Sequence, residues 1–175
     1  MADEHASPAA GRQIPDPGFA GDDGAAEPRL AAALASYAGA GEDGLGVFLV
    51  LQHARLLVPV VAVLGEVEHD ASGLAHDKTS DMATALLTGA DGRQAVLAFT
   101  SLESLGRWRP DARPVPVPAI LAARSAVQEG ASALVVDVAG PTSYAVEGDL
   151  LEGLARGWPL ARTADGAYAW VEPVE

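Results

Sequence analysis

A chain of 175 residues is about one domain's worth, and with 49% apolar but only 5% aromatic residues its core must be filled by Val, Leu, Ile and Ala. Its 24 acids against 11 bases leave a net charge of −13, a field that repels phosphate backbones and anionic lipid and so excludes nucleic acid and membrane surfaces as partners. The absence of cysteine removes disulfides, thiolate catalysis and cysteine-ligated zinc together.

Residues 1–29 are rich in Ala, Gly, Pro and Asp, with only Ile14 and Phe19 able to anchor anything, and predict a disordered acidic N-terminal arm. The start lacks the basic and apolar regions of a signal peptide, and the reading is a cytoplasmic protein. Residues 30–175 then read as one α/β domain, α+β in detail, with helices packed on a mixed sheet. Pro28 precedes "RLAAALASYA", where Leu30, Leu34 and Tyr37 recur at helical spacing. "GAGEDG" is a loop, and Gly44 to Ala54 predicts a second helix.

The run Leu45 to Leu64 is long enough to imitate a membrane span, but Gln52, His53 and Arg55 lie in its middle. A central arginine costs about 2.5–3.5 kcal/mol on insertion, and Pro59 would break a helix there. The run predicts a buried helix leading into a valine-rich central strand over Leu56 to Leu64, with Pro59 at a bulge or half-edge position. "MATALLTG" and "RQAVLAFT" flank Asp91-Gly92, a type I′ hairpin signal. Ser101 caps a short helix, "LESLGRW", although Ser-x-x-Ser lacks the acidic partner of a full capping box. "RPVPVP" is extended, Pro118 opens "AILAARSAVQEG" and Gly130 stops it. "ALVVDV" is a short buried strand, "SYAV" is extended, and "EGDLLEGLARG" is a helix ending at Gly157. "WPLARTADGAYAWVEP" is a second Asp-Gly hairpin with Tyr168 and Trp170 on one face.

Chemistry-bearing residues concentrate in "EVEHDASGLAHDKTSDMA", Glu66 to Ala83. His69 and His76 could face each other across a turn at Ser72-Gly73, with Asp77 and Asp81 close by. That geometry would suit a metal-dependent or hydrolytic enzyme, but H-D-x5-H-D matches no established metal-ligand spacing. A solvated loop between two strands, its acids keeping an edge soluble, is the better account. Ser80 beside Asp81 lacks a G-x-S-x-G elbow. His53 reads as a packed or boundary residue, and His5 lies in the arm. "AGAGEDGLG" follows no convincing strand and has no lysine at the phosphate-loop position. No catalytic residue, metal site or cofactor is therefore expected.

Five pieces of the chain have a family wording: "IPDPGFAGDDG", "ARLLVPVVAVLGEV", "KTSDMA", "AFTSLESLGRWRPDARPVPVP" and "VVDVAGP". They resemble the SseB-like family, named for enhanced serine sensitivity, in its form from GC-rich bacteria, and the likeness runs from about Ile14 to Leu154. Lys78 as the only lysine agrees with that coding bias. The resemblance implies an SseB N-terminal domain of α/β fold, in an accessory or regulatory role loosely tied to serine sensitivity and, by name, to secretion. It assigns no catalytic residue. Its wording covers Lys78-Thr79-Ser80-Asp81-Met82 but not His69 or His76, which further lowers the metal reading. Some relatives carry a second, C-terminal domain, for which this chain is too short.

The expectation is a non-catalytic module that binds another protein through its arm and the surface near Thr79, Ser80, Asp81 and Trp108. Within that surface Trp108 reads first as core packing. Besides the enzyme reading, a self-associating subunit built through Val-rich edge strands is the other alternative.

Overall fold

The computed structural model describes residues 18–40, 44–63 and 81–172. Pro28 takes the first position of α1 (Pro28–Ala40), where its fixed φ suits a helix start and its missing N–H would have no partner anyway. Leu30 and Leu34 turn into the core and Tyr37 packs at its margin. The apolar run after the loop divides as expected, into α2 (Leu45–Leu51) and the strand β1 (Arg55–Val63). No helix among the described residues is long and apolar enough to cross a membrane.

β2 (Asp81–Thr84) and β3 (Leu86–Thr88) follow, then β4 (Gln94–Ala98), α3 (Leu102–Trp108), β5 (Arg113–Pro118) and α4 (Ala119–Gln128). β6 (Ala133–Val136), β7 (Tyr144–Glu147), α5 (Gly148–Arg156) and the hairpin β8 (Leu160–Arg162)–β9 (Tyr168–Trp170) complete the chain. One sheet has the order β2-β1-β5, all antiparallel. The other has the order β3-β4-β6-β7, in which β4 and β6 run parallel and the remaining pairs antiparallel. The result is the expected α+β fold with mixed pairing.

The two sheets join where β1 changes partner. Leu57 donates its N–H to the Phe99 carbonyl at 2.7 Å and accepts the Phe99 N–H at 2.8 Å, so at this point β1 pairs with the end of β4. Farther along, Val60–Val63 pair with β2. Pro59 stands at the fork, where its carbonyl accepts the Ala85 N–H. The β5 ladder passes Pro59 opposite Pro114, but the missing N–H of Pro59 points like that of Leu57 to the other side, into the gap between the Phe99 bridge and β2, where no ladder bond is lost. Backbone groups alternate in direction along a strand, and Leu57 turns toward Phe99. Its partner Pro116, and Pro114 and Pro118 two residues away, therefore direct their missing N–H groups outward. "RPVPVP" is thus an edge strand whose prolines close that edge to further pairing.

The main core lies between one face of the sheets and helices α1, α2, α4 and α5, with Phe48, Leu51, Leu56, Leu134 and Val146 fully enclosed. The alanines of α4, Ala119, Ala122, Ala123 and Ala126, let that helix sit close to the sheet and to α5. A smaller cluster on the opposite face holds Leu57, Leu97, Phe99, Leu105 and Ala112, with Trp108 and Val138 against it. Gly130 and Gly157 end α4 and α5 in the left-handed conformation, each followed by an N–H that reaches back to the last helical turn.

Two local expectations change. Both Asp-Gly turns are three-residue loops, with Gly89 and Arg93 paired around Ala90-Asp91-Gly92, and Thr163 and Ala167 paired around Ala164-Asp165-Gly166. Only the glycine of each has positive φ. A type I′ turn requires positive φ at the aspartate too, so the first hairpin is instead a tight turn followed by a bulged glycine. The aspartates act through their carboxylates: a hydrogen bond from the Arg93 side chain holds Asp91 below the usual carboxylate range, and the Thr163 hydroxyl does the same for Asp165. The capping box of α3 is complete, because Ser104 Oγ accepts the Ser101 N–H at 3.3 Å while Ser101 Oγ accepts the Ser104 N–H at 3.1 Å. A serine hydroxyl does the work usually given to glutamate.

The β8–β9 hairpin is held by Trp170, which lies edge-on to Phe48 at 5.9 Å and covers Gly153 of α5. A Cβ on Gly153 would stand 2.6 Å from both Cζ2 and Cζ3 of the indole. Gly153→Ala is therefore expected to lift Trp170 off the core and destabilise the domain by about 2 kcal/mol, the overpacking cost exceeding the gain in helix propensity. Urea unfolding followed by tryptophan fluorescence checks this, and a variant as stable as the parent would show that the hairpin shifts freely.

Candidate functional site

Beyond the carboxyl ends of the parallel strands β4 and β6, where the chain leads into α3 and into the turn before β7, a groove of about 520 Å³ opens between α1 and α3. Open sheets place ligand sites at such strand ends, where successive connections diverge. One wall is a stripe of α1, Ala31, Leu34, Ala35 and Ala38, at the i, i+3, i+4, i+7 spacing of one helical face. The other wall is the start of α3, with Ser101, Glu103, Ser104 and Arg107. Thr100 and Asp137 form the base, and Pro141 and Thr142 close one end.

Asp137 is only 5% exposed and is the one described non-glycine residue with positive φ, at 54°. Aspartate tolerates this region better than most residues. The turn is needed because the Asp137 N–H still pairs with the Ala98 carbonyl, completing the parallel ladder, while its own carbonyl accepts from Gly140. Its carboxylate then points at the end of β4. Thr100 donates its backbone N–H to Oδ1 at 2.9 Å and its hydroxyl to Oδ2 at 2.6 Å. Thr100 is thereby occupied with Asp137, which leaves Ser101 as the cap of α3.

The same corner is braced from outside by Arg55, whose side chain is 14% exposed. Its guanidinium grips Asp22 with two bonds, at 2.7 and 2.8 Å, and donates to the carbonyls of Ala25 at 2.6 Å and Thr100 at 2.9 Å. Gly24 completes the attachment by accepting the Leu102 N–H at 2.8 Å. Residues 18–27 are thus tied to the domain beside the groove, and Ala26 lines its edge. This narrows the expected arm, whose first 17 residues lie outside the described ones. At the rim Arg107 meets Glu103 at 2.6 Å, so that pair is neutral overall.

Of the residues singled out in the sequence, Thr79 and Ser80 lie outside the described residues, as do His69, His76 and Asp77. Asp81 opens β2 opposite Val63. Residues 64–80 therefore connect two adjacent antiparallel strands. Trp108 ends α3, half-buried against Phe99 at 5.4 Å with the Arg109 guanidinium 5.0 Å from its ring, and takes its place in the smaller core cluster. Asp81 and Trp108 stand at different points along β1: Asp81 is opposite Val63, whereas Trp108 stacks on Phe99, which bridges to Leu57, six positions and about 20 Å back along the strand. His53 stands exposed in the turn after α2 rather than packed, since its backbone N–H closes that turn on Val50. Among the described residues no group of three or more His, Asp or Glu side chains is placed to hold a metal.

The groove residues Ala31, Ala35, Ala38, Thr100, Ser104 and Asp137 were not foreseen as a site. The available signal was the string Val-Val-Asp-Val-Ala-Gly, an acid at the end of a buried strand just before a turn. These features define an α+β domain with an amphipathic groove at the carboxyl ends of its parallel strands. Residues 30–153, from the first turn of α1 into α5, match the family described as SseB protein N-terminal domain, and the chain belongs to that family. Neither curated proteins nor solved structures give a match.

Proposed function

We propose that this chain is a non-catalytic accessory or regulatory module that binds another protein through the groove between α1 and α3. The observation that carries the reading is the state of the groove's polar groups. Both oxygens of Asp137 accept bonds from Thr100, and Glu103 and Arg107 neutralise each other. Ser101 and Ser104 turn their hydroxyls to the α3 cap. The two serines and the Glu103–Arg107 pair are committed to shaping the wall, and no histidine stands among the described lining residues to relay a proton to or from Asp137 and Thr100. A rigid polar wall facing an apolar helical stripe is what a partner's amphipathic segment requires.

Ala35 is exposed on α1 and faces the groove, so Ala35→Trp fills the space without entering the core. Affinity capture from the native cell lysate is expected to recover a partner with the parent chain and at least about tenfold less with Ala35→Trp, a loss of about 1.4 kcal/mol or more. Equal recovery by both would take binding off the groove, and no partner with either would remove the protein-binding reading.

A further inference from the structure

We propose that the groove receives a lysine side chain of the partner, with its ammonium at Asp137 and its methylenes along Ala31, Leu34, Ala35 and Ala38. The inference rests on the protein-binding reading and supplies the chemistry of what is bound. An ionised carboxylate has about four lone-pair sites. The bonds from Thr100 use two of those of Asp137, one on each oxygen. Among the described residues no cation pairs with Asp137, and the Arg107 guanidinium in the groove wall is engaged by Glu103. A carboxylate so deeply buried and held by neutral donors alone gains from a cation brought to its remaining sites.

The form of that cation follows from the geometry. Thr100 approaches side-on, one donor to each oxygen, and so occupies the edge that an arginine fork would use. A compact ammonium needs only one of the remaining sites. Lysine also carries a four-carbon stem that lies well along apolar surface while its charge reaches a polar end, and the alanine wall leaves room for it. Attraction of a basic partner is favoured throughout by the net charge of −13.

The test titrates the isotopically labelled full chain with capped pentapeptides bearing one central lysine, norleucine or arginine, read by amide chemical shifts. The lysine peptide is expected to shift Ala35, Thr100, Ser104 and Asp137 and to bind about tenfold more tightly than the norleucine peptide, as a charge-assisted bond implies. Asp137→Asn should erase that advantage, and Ala35→Trp should abolish binding of both peptides. Equal binding of lysine and norleucine would overturn the proposal, as would an arginine peptide that binds as well as lysine. So would shifts outside the groove, or no binding of lysine up to about 10 mM. Should Asp137→Asn fail to fold, the peptide comparison and Ala35→Trp still decide. Capture that depends on the groove but is unchanged when the partner's lysines are acetylated would leave protein binding standing and remove the lysine. Capture indifferent to Ala35→Trp would instead remove the groove itself.

Discussion

Asp137→Ala is expected to destabilise the domain by about 3–5 kcal/mol, the largest effect of any substitution considered. The methyl group leaves the Thr100 N–H and hydroxyl buried without an acceptor, at about 1–3 kcal/mol for each buried group left unsatisfied. Alanine must also adopt φ near 54°, which costs ordinary residues roughly 1–2 kcal/mol. Two further variants separate these causes. Asp137→Gly removes the backbone penalty but not the lost acceptors, so it should recover about 1 kcal/mol relative to alanine. Asp137→Asn keeps one acceptor and the tolerance of the turn, and should be the mildest of the three. Urea unfolding with an unchanged slope is the measurement. Were alanine to cost less than about 1 kcal/mol, water would be reaching Thr100 and the corner would not be a closed unit.

Arg55→Met is expected to cost about 2–3 kcal/mol and to release residues 18–27 while leaving the sheets in place. Methionine keeps the aliphatic part of the side chain but removes both bonds to Asp22 and those to the Ala25 and Thr100 carbonyls. The specific readout is hydrogen exchange. The Leu102 N–H, bonded to Gly24, should lose protection by about tenfold or more, whereas the Leu57 and Phe99 amides in the sheet keep theirs. Asp22→Asn should act in the same direction, and the two together should be less than additive because they share one interaction. Because Ala26 edges the groove, release of this segment is also expected to weaken partner capture. Unchanged protection of Leu102 would mean that the segment is held by its contact with α3 alone.

Most elements were legible in the sequence because their signals are local. Helical spacing in Leu30, Leu34 and Tyr37, prolines at helix starts, glycines after helix ends and Asp-Gly between β-prone runs each depend on a few neighbouring residues. The turn type at Asp91-Gly92 was misread for the same reason that it was found. The dipeptide signals a hairpin, but the loop length depends on which residues pair across it, here Gly89 with Arg93. The capping box at Ser101 was underrated because serine rarely takes the reciprocal role of Ser104.

The groove was not legible, since its parts are far apart in the chain and individually bland. Ala31, Ala35 and Ala38 sit in an ordinary helical run, Thr100 stands just before the Ser101 cap, and Asp137 falls within the short run "ALVVDV". What joins them is the parallel pairing of β4 with β6, which sets Asp137 beside Thr100, 37 residues earlier. The acidic, cysteine-free α+β domain and its family wording follow from composition and short-range spacing, which act without knowledge of the partner strand. That a buried carboxylate lines one groove with an apolar helical face, and that Arg55 ties the segment before α1 to the same corner, emerges only once the chain is folded. Strand register and side-chain direction depend on contacts between distant residues.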